Sequence, residues 1–234
     1  MLGKEGFAKL QSSWVTVFGL GGVGSHATMA LARSGIGHLR IVDFDVVTWS
    51  SLNRHAVALP ADVDQPKAQV VARTLRALRP DMKLEAVEGF LDAGSADELL
   101  IGDGRPDVII DAIDSLSPKV SLLRRCVELE LPVVSSMGAS ARTDPTKIRV
   151  GPIEETTVCP LAKVVRKRLR RQGVSTGITA VYSVERGRDP LPPPEDEPPP
   201  HRGRVRNRLP SMATLPAIFG NAIAGEAIAT LTDL

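Results

Sequence analysis

The sequence predicts an α/β fold in which a mostly parallel sheet carries helices on both faces. Two features of residues 15–150 predict it. Short apolar segments with strand character alternate with segments of helical periodicity, and the first strand runs through a glycine-rich turn into a helix. Strands that alternate with helices are joined by crossovers and lie parallel, so the turns at their carboxyl ends meet along one edge of the sheet.

The strands of this region are short runs rich in Val, Ile and Leu. We predict strands at Val15–Phe18, Leu39–Val42, Leu84–Val87, Val108–Ile110 and Pro132–Ser135. Between them we predict helices at Val23–Ser34, Pro66–Leu78, Ala96–Ile101 and Pro118–Leu129. Ser95 with Glu98 has the spacing of a capping box, and Ser117 is placed to cap the last of these helices.

The pattern changes after residue 150. We predict a basic helix over 160–172, with Leu161, Val164, Val165 and Leu169 facing inward, and a short strand at Ala180–Ser183. Residues 187–208 are rich in proline and charge, which predicts a flexible surface insertion without a core of its own. An apolar, alanine-rich helix is predicted at Leu215–Leu231.

Composition limits the class of protein. With 234 residues, 43% of them hydrophobic, the chain can bury one sizeable core, and we interpret 1–234 as a single domain with a core at 15–150 and an extension at 151–234. Two cysteines without paired spacing argue against a disulfide scaffold and against a four-cysteine zinc site. No apolar run has the length of a membrane span, and the first 14 residues do not resemble a signal peptide. The expected location is cytoplasmic.

The glycine-rich turn predicts a Rossmann-like nucleotide site. Gly19 permits a tight turn, Gly21 and Gly22 let an anion approach the backbone, and Gly24 lets helix and strand pack closely. Asp43, at the end of the next strand, is at about the right distance to bind a ribose hydroxyl. Glycines in this pattern are equally typical of NAD or FAD enzymes.

Two cations and one carboxylate favour ATP over a dinucleotide. Arg54 and Lys67 exceed what a pyrophosphate at a helix N-terminus requires, and they suit a triphosphate. Asp114, after a buried strand, is placed to bind magnesium, which prefers one or two carboxylates together with phosphate oxygens. The alternatives are a solvated charge for Lys67 and, for Asp111, a strand-end acid without a ligand.

Five segments together resemble the adenylating domain of the ubiquitin-activating superfamily. They are Gly19–Ser25, Ile41–Asp45, Asn53–Arg54, Gln65–Lys67 and Asp111–Asp114. Members of that superfamily use Mg and ATP to convert a carboxylate into an acyl-adenylate. The resemblance implies an adenylating-enzyme fold and a cofactor site that includes Asp45 and Asn53. It gives ribose binding to Asp43, phosphate binding to Arg54 and Lys67, and magnesium binding to Asp114.

Within the superfamily, the chain is most similar to the tRNA threonylcarbamoyladenosine dehydratases. The segments Ser135–Val150, Pro160–Arg171, Val181–Ser183 and Leu215–Gly220 carry this similarity, and the zinc-binding cysteine pairs of the sulfur-carrier activators are missing. The resemblance implies adenylation of the threonylcarbamoyladenosine carboxylate in tRNA, then ring closure with loss of water and release of AMP. It also implies a homodimer, with a sulfur-relay or cysteine desulfurase partner as a further possibility and the mitochondrial outer membrane surface as an alternative location.

The charge of the predicted basic helix fits a tRNA partner. Six of the nine residues 163–171 are Lys or Arg, and contacts to phosphate dominate RNA affinity. The candidate tRNA-binding residues are Lys163, Arg166, Lys167, Arg170 and Arg171, with a second patch at Arg202, Arg204, Arg206 and Arg208. A solvated helix face is the alternative interpretation.

Several positions depart from the family pattern. Ser51 stands where members commonly have Asn, and His55, which we expect to cap its turn, stands where they have Gln. Relatives also carry an arginine in an N-terminal helix, where this chain has only Lys4 and Lys9. Two alternative functions therefore remain: a scaffold without catalytic activity, and an activator of a ubiquitin-like or sulfur-carrier protein.

The two cysteines have different expected environments. Cys126 shares a helix face with Leu122 and Leu129, which predicts a core position. Cys159 precedes Pro160 at a predicted helix start, where the helix dipole would favour a thiolate and a thioester could form. Ring closure needs no protein nucleophile, so we favour no catalytic role for Cys159.

Overall fold

A computed structural model of the protein describes residues 1–92, 94–102, 104–192 and 209–233. Its seven strands form a single sheet in the order β3-β2-β1-β4-β5-β7-β6. They are β1 (Trp14–Phe18), β2 (His38–Val42), β3 (Lys83–Val87), β4 (Val108–Asp111), β5 (Val133–Ser136), β6 (Ile148–Pro152) and β7 (Thr179–Ser183). Every pairing is parallel except that of β6 with β7. The order reverses between β1 and β4, where open sheets of this kind bind ligands.

Helices cover both faces of the sheet. They are α1 (Gly3–Ser12), α2 (Gly22–Ser34), α3 (Lys67–Leu78), α4 (Ala96–Ile101), α5 (Leu116–Glu128), α6 (Pro160–Arg170) and α7 (Thr214–Thr232). Successive residues of a strand point to opposite faces, so Val15 and Val17 of β1 belong to the core beneath α2, α3 and α7, while Phe18 joins the core beneath α5 and α6. The predicted α/β fold is confirmed.

Two elements have no counterpart among the sequence predictions, α1 and β6. Helix α1 contains Gly3 and Gly6, which weaken the helical signal, and only Leu10 is buried along its length. Strand β6 lies at the edge of the sheet, ends in Pro152 and has no fully buried residue. Neither segment has the apolar periodicity from which elements are predicted.

The capping predictions were wrong in two places. The Ser95 hydroxyl donates to the carbonyl of Phe90 and accepts from the Asp92 amide, and it makes no capping bond to α4. Helix α5 begins at Leu116, so Ser117 lies inside the first turn rather than before it. On α6, Val164 was expected inward but is 40% exposed. In each case local spacing indicated a position that tertiary packing set differently.

The C-terminal helix α7 packs closely against α2. A Cβ on Gly220 would lie 2.5 Å from the carbonyl oxygen of Val23, so only glycine allows the two helices to approach this far. Leu215, Phe219 and Ile223 are buried in the same core as β1. Within the described residues, α7 is also the one helix long and apolar enough to cross a membrane, a criterion that core helices of water-soluble folds meet as well.

The predicted insertion at 187–208 is described only as far as residue 192, and it contains no helix up to that point. The predicted second patch of cations in this insertion, Arg202, Arg204, Arg206 and Arg208, lies outside the described residues.

Candidate active site

A cavity of about 830 Å³ opens at the carboxyl edge of the sheet, over the point where the strand order reverses. The turns after β1, β2 and β4 form one half of its wall, and side chains from 51–67 extend it. The second half is formed by segments 136–142, 158–161 and 186–190. The parallel strands therefore bring distant segments of the sequence to a single site.

Close backbone contacts require glycine at two positions of the turn, whereas a third glycine borders open space. Gly19 has a φ of +86°, and a Cβ there would meet the Ala112 carbonyl oxygen at 2.8 Å. A Cβ on Gly24 would lie 1.7 Å from the carbonyl oxygen of Gly19, so Gly24 is needed for helix α2 to start against the turn. Gly21 has no neighbour within 4 Å of that position. The space beside it is open to the cavity, next to the first amides of α2, which lack partners within the helix.

The Asp43 carboxylate is buried and fixed by the backbone. Its Oδ2 accepts from the Leu20 amide at 2.6 Å and its Oδ1 accepts from the Asp45 amide at 2.8 Å. Burial raises the pKa of Asp43, while the charge of Lys67 and the two amide donors act in the opposite direction. Each oxygen keeps acceptor capacity for a further donor such as a ribose hydroxyl.

Lys67 begins α3 and points back across the site to Asp45. Its Nζ lies 2.9 Å from Asp45 Oδ2, and its side chain is 13% exposed, so it is not a solvated charge. Burial lowers the pKa of Lys67, but the nearby charges of Asp43 and Asp45 outweigh burial and leave the pKa raised. The ammonium is therefore held in its charged form inside the cavity.

Arg54 is held by its own turn. Its Nη1 donates to the carbonyl of Ser50 at 2.6 Å and to the side-chain oxygen of Asn53 at 3.1 Å. Burial lowers the pKa of Arg54, and the carboxylate of Asp114 opposes this effect. Asn53 in turn donates to the Ser211 carbonyl at 3.0 Å, which ties this turn to the segment that precedes α7.

The structure places most of the predicted site residues in the cavity wall. Those that line it are Gly19, Gly21, Gly22, Asp43, Asp45, Arg54, Lys67 and Asp114. Gly24 and Asn53 lie outside the wall, Gly24 in the packing of the turn and Asn53 behind Arg54. Their roles in nucleotide binding stay predictions.

A buried ion pair beneath the cavity escaped the sequence analysis. Lys119, on α5, is fully buried and lies 2.5 Å from Asp111 Oδ2, to which the Ser135 hydroxyl also donates at 2.6 Å. Lys119 also donates to the Ser136 carbonyl at 2.9 Å. Asp111 is thus a strand-end acid in a buried ion pair. A lysine among apolar residues of a predicted core helix was the available signal.

Asp114 is suited to a divalent cation that also binds phosphate. Its side chain is exposed and lines the cavity, and its one described hydrogen bond is a 3.5 Å contact from the Ser115 hydroxyl. Within the described residues, no cluster of three or more His, Cys, Asp or Glu side chains forms a complete metal cage. A single free carboxylate fits magnesium, which takes its remaining ligands from phosphate and water.

The positions that depart from the family pattern are engaged locally. The Ser51 hydroxyl donates to the Thr48 carbonyl at 2.7 Å and accepts from the Thr48 amide. His55 caps its turn as expected, because its Nδ1 accepts from the amides of Val57 and Ala58. On α1, Lys9 pairs with Asp233 at 2.5 Å, and both side chains are exposed.

Both cysteines are buried. Cys126 belongs to the core beneath α5, as predicted, and burial raises the pKa of its thiol. Cys159 is 2% exposed and precedes α6 at the cavity wall. Its predicted lack of a catalytic role stays a prediction.

Helix α6 carries the predicted basic face away from the cavity. Pro160 and Leu161, at its start, line the cavity. Lys163, Lys167, Arg170 and Arg171 are exposed. Arg166 is partly buried, and its Nη1 donates to the carbonyl and hydroxyl of Thr156, so part of its donor capacity is used within the fold.

Comparison with known families gives a match over the whole chain. The model of the ThiF family matches residues 1–234. The chain belongs to the ThiF family. Among curated members, it is 39% identical to tRNA threonylcarbamoyladenosine dehydratase 2 of Saccharomyces cerevisiae, over 99% of this chain and 55% of the yeast protein. It is 38% identical to the tRNA threonylcarbamoyladenosine dehydratase of Bacillus subtilis, over 79% of this chain and 72% of that protein.

This ThiF family member also resembles solved structures. The Escherichia coli tRNA N6-threonylcarbamoyladenosine dehydratase in complex with ATP superposes with a TM-score of 0.86, at 29% identity, over 99% of this chain and 90% of that one. The same enzyme in complex with AMP superposes equally well. The chain spans about half the length of the yeast relatives that it matches, 55% and 54%.

Proposed function

We propose that the protein uses ATP to adenylate the carboxylate of threonylcarbamoyladenosine in tRNA and then closes a ring with net loss of water. The observation that carries the proposal is the convergence of the glycine turn, Arg54, Lys67 and Asp114 on one cavity. The dehydratases of Saccharomyces cerevisiae and Bacillus subtilis, and the ATP and AMP complexes of the Escherichia coli enzyme, support it.

The proposed first step joins the carboxylate to the α-phosphate. A carboxylate oxygen attacks the α-phosphorus, and the bond to the bridging oxygen breaks as pyrophosphate leaves. Arg54 and Lys67 stabilise the negative charge that accumulates on the leaving phosphates, and Asp43 fixes the ribose. We propose that Asp114 holds magnesium, which would neutralise phosphate charge during this step.

The proposed second step releases AMP. The neighbouring carbamoyl group attacks the activated acyl carbon and loses a proton, and the bond from that carbon to the adenylate oxygen breaks. The former carboxylate oxygen leaves with AMP, so the nucleoside loses the elements of one water. Adenylation is needed because a carboxylate oxygen is a poor leaving group and AMP is a good one.

The basic face of α6 supports a tRNA substrate. The helix starts at the cavity wall and, at about 1.5 Å per residue, places its exposed cations between roughly 5 and 15 Å along its axis from that wall. A nucleoside in the cavity would leave the flanking phosphates within reach of this face. We also propose a homodimer, supported by α7, which is apolar and leaves Ile218 37% exposed. The described residues offer no support for a sulfur-relay or cysteine desulfurase partner.

The decisive experiment measures AMP release from ATP and magnesium with tRNA that carries threonylcarbamoyladenosine, against tRNA that lacks it. AMP that depends on the modification, with a nucleoside lighter by one water, is the expected result. AMP formation only with a ubiquitin-like or sulfur-carrier protein would favour an activating enzyme, in line with 39% identity over 133 residues to an archaeal SAMP-activating enzyme E1. ATP binding absent altogether would favour a scaffold. Light scattering tests the dimer, which a monomeric mass would exclude.

A further inference from the structure

The half of the cavity away from the glycine turn contains a buried cation. Arg142, which follows β5, is 6% exposed and lines the cavity wall. Its Nη1 donates to the carbonyls of Gly138 at 2.7 Å and Ser140 at 3.0 Å, and its Nε donates to the carbonyl of Glu185 at 3.1 Å. The guanidinium plane is thus fixed from two sides.

The charge of Arg142 is not neutralised within the described part of the chain. No described carboxylate lies within 4.0 Å of it, and its Nη2 makes no hydrogen bond to a described residue. Glu185 accepts from Arg142 through its backbone carbonyl, whereas its carboxylate accepts from the amides of Thr143 and Asp144. By contrast, Lys119, which is fully buried beneath the cavity, has Asp111 as its counter-ion.

Burying a charge without a counter-ion costs free energy, so this position favours the binding of an anion. Carbonyl dipoles orient a guanidinium but leave its net charge in place. Here they use Nε and Nη1 and leave one amino group at the wall of a cavity, in the planar arrangement that suits a carboxylate or phosphate. Because the side chain is already held, little conformational entropy would be lost when an anion binds.

A cation on the cavity wall that carries Arg142 would assist the proposed adenylation. A carboxylate that approaches the α-phosphate of ATP meets like charge, and the cations beside the glycine turn, Arg54 and Lys67, lie in the nucleotide half of the cavity. A further cation on the opposite wall would offset that repulsion and hold the carboxylate in place.

We propose that Arg142 is the buried anion-binding group of the substrate half, the half of the cavity away from the glycine turn, and that it takes the carboxylate that becomes adenylated. Arg186 and Arg188 line the same half but are exposed, so water already solvates their charges. This inference rests on the proposed function. A tRNA backbone phosphate and an ATP phosphate share the same anionic chemistry, and the experiment distinguishes them from the carboxylate.

The test measures the affinity of two nucleosides for the wild-type protein and for Arg142→Gln, with ATP bound and magnesium withheld so that no adenylate forms. One is threonylcarbamoyladenosine, and the other carries a primary amide in place of its carboxylate. The wild type should prefer the acid by about 10- to 100-fold, as expected for a charge-assisted hydrogen bond, and Arg142→Gln should lose this preference. If the role of Arg142 were purely structural, the substitution would weaken the binding of both nucleosides equally and leave the ratio of their affinities unchanged.

Arg149→Gln is the matched control. Arg149 also donates to two carbonyls, those of Thr146 and Ile148, but it is exposed on edge strand β6 and does not line the cavity. The control should keep the wild-type preference. Circular dichroism and ATP binding establish that each variant is folded.

Three outcomes would overturn the assignment. A folded Arg142→Gln that keeps the preference for the acid excludes the carboxylate contact. If Arg142→Gln binds modified and unmodified tRNA more weakly by the same factor, Arg142 contacts a backbone phosphate. If only ATP binding is weakened, Arg142 contacts the nucleotide. If Arg142→Gln does not fold, arginine side-chain NMR of the wild type replaces it, with the signal assigned through Arg142→Lys. The acid, and not the amide, should then shift the Arg142 signal.

Failure of this inference differs from failure of the proposed function. If the wild-type protein dehydrates the modified tRNA but Arg142→Gln keeps the preference for the acid, only the assignment of Arg142 is wrong. If the wild-type protein forms no AMP with either tRNA, the proposed function itself is wrong.

Discussion

Lys119 and Asp111 form an ion pair with no solvent exposure beneath the cavity, with Nζ and Oδ2 2.5 Å apart. Because Lys119 also binds the Ser136 carbonyl, the pair joins helix α5 to the ends of β4 and β5. Those strand ends lead into the segments that carry Asp114 on one side and Arg142 on the other. One buried contact therefore supports both halves of the site.

Loss of one member of this pair should be strongly destabilising. Lys119→Met leaves the Asp111 carboxylate buried without a counter-ion, which typically costs about 3–5 kcal/mol of unfolding free energy. The double variant Lys119→Met with Asp111→Leu should recover most of that loss, because apolar side chains often replace a buried pair without penalty. Urea unfolding measures both. A single variant as stable as the wild type would contradict the assignment of a charged pair.

Two glycines of the turn should respond differently to alanine. Gly24→Ala should prevent normal folding, because its Cβ would lie 1.7 Å from the Gly19 carbonyl oxygen. Gly21→Ala should fold, because no atom lies within 4 Å of its Cβ position, but it should bind ATP more weakly since the methyl group occupies space beside the turn. Thermal unfolding and ATP titration check both. Unimpaired ATP binding by Gly21→Ala would place the phosphates elsewhere.

Lys67→Ala should abolish AMP formation and leave the fold intact. The partner of Lys67, Asp45, is 50% exposed, so water can solvate its carboxylate after the lysine is removed. The variant should lose some stability, because the buried Asp43 carboxylate also loses a nearby positive charge. The fold should persist, because the amides of Leu20 and Asp45 still donate to Asp43. Lys83→Ala is the control, because Lys83 pairs with Glu85 at the start of β3, away from the cavity. Wild-type AMP formation by Lys67→Ala would exclude a phosphate role.

His55 should make stability sensitive to mild acid. Burial lowers the pKa of His55 to about 4, below its value of about 6.5 in the unfolded chain. The unfolded chain therefore takes up this proton first, so the contribution of His55 is complete above about pH 6.5 and is lost as the pH falls towards 4. His55→Gln should flatten the dependence of urea midpoints on pH between about pH 7 and pH 5. Parallel curves for variant and wild type would contradict this pKa.

The basic face of α6 should determine how tRNA binding depends on salt. A variant with glutamine at Lys163, Lys167, Arg170 and Arg171 should lower tRNA affinity. It should also reduce the slope of log K against log salt by as much as about 0.7–0.9 per lost phosphate contact. Glutamine at Arg33 and Arg76, exposed on α2 and α3, provides the control. An unchanged slope for the α6 variant would move the tRNA surface elsewhere.

Much of the fold and of the nucleotide half could be predicted because the signals are local. Apolar runs of strand length set β1 to β5, and the glycine turn, Asp43, Arg54 and Lys67 stand at strand ends or helix starts, where parallel topology must bring them together. Helix α1 and strand β6 escaped prediction because they bury little and have weak periodicity.

The α/β alternation, the glycine-rich turn and the family could be recognised from the sequence alone, because each depends on residue types at short spacings along the chain. Three further features depend on tertiary packing: Lys67 faces Asp45, Lys119 neutralises Asp111, and Arg142 is buried at the cavity wall with no counter-ion among the described residues. The physical reason is that a charge acquires its partner, or lacks one, through packing between segments far apart in sequence. No local pattern records which carboxylate lies within reach of a buried cation.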